Sequence, residues 1–208
     1  MVRARYTLDD IRSEALRLVD RDGLAALNMR SLATALGTGP MTLYNYVRDR
    51  EGLEELVVDA VISAVDLPPP TSDWRRDTIQ IATVTWRAVR AHPAAIPLVL
   101  TRRSTSAAGF APAEALIAAL RRSALGDRDL LAAFRAILGL IMGSAQAELA
   151  GPLTSPPATA KDTAARIGTL AGRNFPHIEA LSHVSQKSSP EADFTRGLKM
   201  LVTGIAAA

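Results

Sequence analysis

The sequence contains no cysteine, and only 4% of it is aromatic. Lack of thiols excludes disulfides and thiolate metal sites. Scarce aromatics, in a chain that leans on Ala, Leu and Arg, leave few of the side chains that favour strands, and apolar and polar residues never alternate for long. An all-α protein is expected. The N-terminus, MVRARYTLDD, has no apolar run that would make a signal peptide. The most apolar stretch, Leu130 to Leu149, is interrupted by Arg135, Gln146 and Glu148, which are costly in a bilayer. No membrane span is expected, and the location expected is cytoplasmic. Also missing are a Gly-x-Ser-x-Gly turn, a glycine-rich phosphate loop and a His-Glu-x-x-His pair, so no catalytic residues and no enzyme activity are expected. His177 and His183 are six residues apart, off one helix face, and no metal or cofactor is expected.

What is present is a chain of 208 residues, 48% hydrophobic and with a formal net charge of +3. That is ample for a buried core, and the charge suits a nucleic-acid partner as well as it suits simple solubility. Thr7, with Asp10 three residues on, opens a helix expected from about Leu8 to Asp22, which Gly23 stops. Asn28 caps a short second helix holding Leu32, Ala33 and Leu36, and Gly37 ends it. Pro40 fits the first turn of a third helix, Met41 to Val47, and Asp49 caps a fourth with one apolar stripe of Leu53, Leu56, Val57, Ala60, Val61 and Ala64.

The run Leu67-Pro68-Pro69-Pro70-Thr71-Ser72 cannot continue a helix. Beyond it, helices are expected at Trp74 to Ala91, Pro112 to Ser123, Asp127 to Ala150, Lys161 to Gly172 and Pro190 to Ala207, with Pro93 and Pro97 as breakers and a loop from Gly151 to Ala160. The organisation expected is a DNA-binding unit over residues 1–50, a connector helix over about 50–65, and a larger helical unit over residues 66–208.

The segment Asn28 to Arg50, NMRSLATALGTGPMTLYNYVRDR, carries the chemistry. Ala33 suits a close crossing of two helices, and Gly37, four residues later, suits a turn that needs positive φ. Leu32, Leu36, Leu43 and Val47 supply the core between them. Left outside are Pro40, Met41, Thr42, Tyr44, Asn45 and Tyr46, on the helix that would enter a major groove. Thr42 and the tyrosine hydroxyls suit phosphates, Asn45 a base edge and Met41 a thymine methyl, with Arg30 and Arg50 as flanking cations. A short hairpin with Tyr44 and Tyr46 half-buried is the blander alternative.

The order Ala-x-x-x-Gly, then Pro-Met-Thr-Leu-Tyr-Asn-Tyr-Val, then Arg-Asp-Arg-Glu-Gly-Leu closely resembles the N-terminal domain of TetR-family repressors over Thr7 to Leu56. The resemblance implies double-stranded operator DNA as partner, contacted by Arg30, Gly39, Pro40, Met41, Thr42, Tyr44, Asn45, Tyr46 and Arg50. Tyr46 departs from the histidine or phenylalanine common there, and Gly39 offers no side chain for base readout. The C-terminal part resembles the ligand-binding domains of the tetracycline-repressor subgroup at Trp74-Arg75, Arg90-Ala91-His92-Pro93, Phe194, Gly197, Leu198 and Leu201. That likeness implies a homodimer through the helix near 127–150 and the last helix, and a small-molecule effector. Ala136, Gly139, Gly143 and Ala147 share a helix face, as do Gly197, Gly204 and Ala208, which suits close helix contacts. Trp86, His92, Met142 and Gln146 are the candidate pocket residues, each bringing a polar or polarisable group into apolar surroundings. The reading from a different class is a helical carrier or scaffold that binds no DNA.

Overall fold

The computed structural model describes residues 6–102, 106–149, 160–185 and 187–208. Among them are eleven α-helices and no strand: α1 Leu8–Asp22, α2 Met29–Ala35, α3 Pro40–Leu43, α4 Arg50–Ser63, α5 Trp74–Ala91, α6 Ile96–Thr101, α7 Ala107–Arg121, α8 Asp127–Leu149, α9 Ala160–Ala171, α10 Pro176–Ser185 and α11 Pro190–Ala207. The loop expected over Gly151 to Ala160 lies outside the described residues except for Ala160, which begins α9.

Local chemistry accounts for the helix starts. Thr7 Oγ1 accepts the Asp10 N–H at 3.1 Å while Asp10 Oδ2 accepts the Thr7 N–H at 2.8 Å, a complete capping box. Asn28, Asp49 and Asp73 cap α2, α4 and α5 in the same sense, their carboxyl or amide oxygens accepting first-turn N–H groups.

The prolines behaved differently from expectation. Pro97 and Pro176 were read as breakers or passed over, yet each sits in the first turn of a helix, α6 or α10, where no N–H is needed. α7 starts at Ala107, not at Pro112, because Ser106 caps it by accepting the Gly109 N–H at 3.0 Å, and Pro112 is carried inside the helix with its ring buried. α3 is shorter than expected; its regular part ends at Leu43 and residues 44–46 turn, although the Val47 N–H still donates to the Leu43 carbonyl at 2.9 Å.

α1 to α3 form a small head, α5 to α8 and α11 a larger body, and α9 and α10 pack on each other as a hairpin. α4 belongs to both head and body: it packs on α1 on one side and on α5, α6 and α7 on the other. Leu53, Leu56, Val57, Val58, Ala60 and Val61 are all buried, as is Asp59, so the buried surface is wider than the single stripe expected, as suits a helix packed from two sides. Ala64, counted in that stripe, lies beyond the helix end and is exposed. In the body, α5 is central, packing on α7, α8 and α11, with Ile81, Ala82, Trp86 and Val89 facing inward.

The triple-proline linker is held by one carboxylate. Asp77, buried near the start of α5, accepts from the Thr71 N–H at 2.9 Å, from the Thr71 hydroxyl at 2.6 Å and from Arg122 at the end of α7, which also donates to the Thr71 carbonyl. Burial pushes the Asp77 pKa up, but the Thr71 and Arg122 hydrogen bonds and the Arg122 charge together outweigh it, and the net shift is downward. A lowered native pKa adds stability that is complete above the unfolded-state value near 3.8 and is lost as pH falls through the native value. Acid titration followed by circular dichroism should therefore lower the melting temperature below about pH 4, and Asp77→Asn should be less stable at neutral pH and show a smaller acid-dependent loss.

Candidate nucleic-acid interface and body interior

The head is built around a tight turn. The Gly37 φ is +64°, and the Thr38 N–H returns to the Ala33 carbonyl at 2.8 Å, closing the end of α2. Ala33 is buried at the crossing of α2 and α3, and Leu32, Leu43 and Val47 fill the space between them. Turning the core residues inward leaves Gly39, Pro40, Met41, Tyr44 and Asn45 exposed, with Met41 77% and Tyr44 48% accessible. Thr42 is half-buried, its Oγ1 accepting from the Thr38 hydroxyl at 3.1 Å, which leaves its own proton for an outside partner.

Arg30, on α2, is exposed and flanks this surface. So does Arg48, a cation not singled out from the sequence; its signal is only its place between the recognition segment and the α4 cap. Arg50 is exposed too, but its Nε donates to Glu54 Oε1 at 3.0 Å, so its charge is shared.

Tyr46 is engaged within the chain. Its hydroxyl, expected to serve a phosphate, donates instead to the Tyr6 carbonyl at 2.8 Å, because the turn after Leu43 rotates the ring inward. Tyr6 in turn donates its hydroxyl to the Leu36 carbonyl at the end of α2. Tyr6, missed in the sequence, thus ties the entry to α1 to both helices of the hairpin.

Gly52 was missed as well. A Cβ built there would lie 2.7 Å from Val47 Cγ1, so the start of α4 can press on the end of the recognition segment only because residue 52 has no side chain.

In the body, three buried side-chain polar atoms have no hydrogen-bond partner among the described residues: Thr78 Oγ1, Trp86 Nε1 and Gln146 Oε1. Two belong to α5 and one to α8, helices that pack together. Trp86 is fully buried and stacks on Phe194 of α11, with ring centroids 4.6 Å apart and planes 6° off parallel. Met142 is half-buried against the same core. Of the four residues expected to line a pocket, His92 stands apart. It follows the end of α5, and its Nδ1 meets Asp20 Oδ2 of α1 at 2.8 Å, so it joins head to body. Among the described residues no cluster of His, Cys, Asp or Glu suited to a metal was found.

Residues 67–208 match the family described as "Tetracyclin repressor-like, C-terminal domain". The chain belongs to the tetracycline-repressor family of transcriptional regulators. An HTH-type transcriptional regulator of Saccharopolyspora erythraea is 34% identical over 97% of this chain and 85% of its own length. The class E tetracycline repressor protein of Escherichia coli is 27% identical over 98% of this chain and 92% of its own. The crystal structure of ActR of Streptomyces coelicolor in complex with actinorhodin superposes with a TM-score of 0.82 at 25% identity, covering 99% of this chain and 97% of that one. The all-α architecture expected from composition is the family's own.

Gly52→Ala tests the close approach in this family head: the added methyl should cost about 1–3 kcal/mol in urea unfolding, as overpacking does. An unchanged midpoint would mean that Val47 gives way freely.

Proposed function

We propose that this chain is a homodimeric repressor that grips operator DNA through α3 and its flanks and lets go when a small molecule enters the body. The observation that carries the DNA half is the outward face of the hairpin. Met41, Thr42, Tyr44 and Asn45 offer a methyl contact, hydroxyls and an amide, and Arg30 and Arg48 stand exposed beside them. Gly39 and Pro40 allow the DNA backbone to approach closely at the start of α3. Tyr46 contributes by fixing the pitch of the recognition segment through Tyr6, not by donating to phosphate.

Two recognition helices reaching half-sites one DNA turn apart need a dimer. By length and composition α8 is apolar enough to cross a membrane, yet only 28% of its most apolar stretch is buried within one chain. Its exposed residues Ala132, Ala136, Gly139, Gly143 and Ala147 make a stripe of small side chains, and a Cβ at 139 or 143 would meet nothing. Met200 and Gly204 of α11 border the groove beside it. A second copy packed across this stripe, forming a four-helix bundle from two α8 and two α11, accounts for the exposure. Gly197 lies two turns before Gly204 on α11, and a Cβ there would meet Leu140 of its own chain at 4.0 Å, an ordinary contact distance. The α9–α10 hairpin also presents Leu170, Phe175, Leu181 and Val184 outward, an apolar face suited to the same partner.

For the effector, the unpartnered Thr78 Oγ1, Trp86 Nε1 and Gln146 Oε1 are polar groups in apolar surroundings awaiting complements, and ActR, a relative of the same fold, has been seen with actinorhodin bound. A ligand reaching them parts the Trp86–Phe194 stack, and differential affinity for the two states of about 1–3 kcal/mol would shift the dimer off its operator.

A mobility-shift titration with DNA flanking the gene should give a salt-sensitive complex, weakened about tenfold or more by Tyr44→Ala or Thr42→Ala with the circular dichroism unchanged. Absence of any complex at low salt would overturn the reading. In sedimentation, Gly143→Arg should convert the dimer to monomers that bind DNA poorly; a dimer that tolerates arginine there places the interface elsewhere.

A further inference from the structure

Arg102 follows the last residue of α6, in the body, yet its guanidinium is directed at the first turns of α4. Its Nε and Nη2 donate to Glu54 Oε2 at 3.2 and 2.9 Å, and its Nη1 donates to Glu51. The other oxygen of Glu54, Oε1, accepts from Arg50. The Glu54 side chain is only 14% exposed and that of Arg50 is 60% exposed, so the carboxylate sits inside while the unused N–H groups of Arg50 face out. One carboxylate therefore divides its two oxygens between a cation on the DNA side of the head and a cation of the body.

The division has an electrostatic consequence. Within the cluster of Arg50, Glu51, Glu54 and Arg102, two arginines balance two glutamates. Without Arg102, one arginine faces Glu51 and Glu54 together, Glu54 is free to take Arg50 through both oxygens, and the exposed Glu51 repels phosphate. We propose that Arg102 is a positioning residue for DNA binding: by occupying Glu54 and neutralising Glu51 it leaves Arg50 available to the phosphate backbone. Displacement of the end of α6 then turns the same two glutamates against the DNA. The body reports its state to the head as charge, over and above any tilt of α4. The inference rests on Arg50 as a phosphate contact.

The experiment uses the full-length protein and a short random-sequence duplex, whose binding depends on phosphate contacts alone, followed by fluorescence anisotropy across a salt series. The unaltered protein is measured first; if it binds no duplex at low salt, the DNA-binding reading itself falls, and this proposal with it. Given binding, Arg102→Gln should weaken it about tenfold at low salt and reduce the salt slope by about one, as for a lost phosphate contact, while Arg102→Lys keeps most of the affinity. Adding Glu51→Gln and Glu54→Gln to Arg102→Gln should bring affinity back to within about threefold of the start, since the competing carboxylates are gone. A purely structural Arg102 would lower the melting temperature, leave the salt slope alone and gain nothing from removing the glutamates. An unchanged affinity in Arg102→Gln, or a triple variant as weak as the single one, overturns the proposal.

Discussion

The burial of α4 on both sides is the constraint on which the rest of the molecule depends. Leu53, Val57 and Val61 are fully enclosed, and the same helix has α1 against one side and α5, α6 and α7 against the other. Close-packed interiors yield by discrete shifts rather than by gradual deformation, so a helix shared in this way cannot move against one neighbour without being felt by the other. The head is thus coupled to the body through α4.

Polar groups at the ends of α1, α4, α5 and α7 add specific contacts to this packing. His92 meets Asp20 at the far end of α1, Arg102 meets Glu51 and Glu54 at the near end of α4, and Asp77 gathers Thr71 and Arg122 where the linker re-enters the body. Each includes a pair far apart in sequence, and Asp77 and Glu54 are largely screened from solvent, where such contacts are stronger than on an open surface. By contrast, Thr78 Oγ1 and Trp86 Nε1 of α5 and Gln146 Oε1 of α8 are buried polar atoms with no hydrogen-bond partner among the described residues.

Much of this was legible because its causes are local. The starts of α1, α2, α4 and α5 followed from Thr7, Asn28, Asp49 and Asp73, whose side chains reach N–H groups only two or three residues away. The turn at Gly37 followed from the need for positive φ. Prolines misled where position within a turn mattered more than residue type, as at Pro97, Pro112 and Pro176. His92 and Tyr46 were recognised as chemically interesting, but their partners, Asp20 and the Tyr6 carbonyl, lie 72 and 40 residues away in the chain, and nothing local points to them.

The sequence by itself determined that the chain is helical, that it carries a two-helix reading head closed by Ala33 and Gly37, and that Met41, Tyr44 and Asn45 lie on its outer side. These depend on propensity, capping and periodicity, which act within a few residues. Tertiary structure alone decided that α4 is packed from two sides, that a Cβ at Gly52 would crowd Val47, that His92 meets Asp20 at the junction, and that Glu54 stands between Arg50 and Arg102. Those outcomes depend on which helix faces end up together, and that is settled by the packing of the whole core.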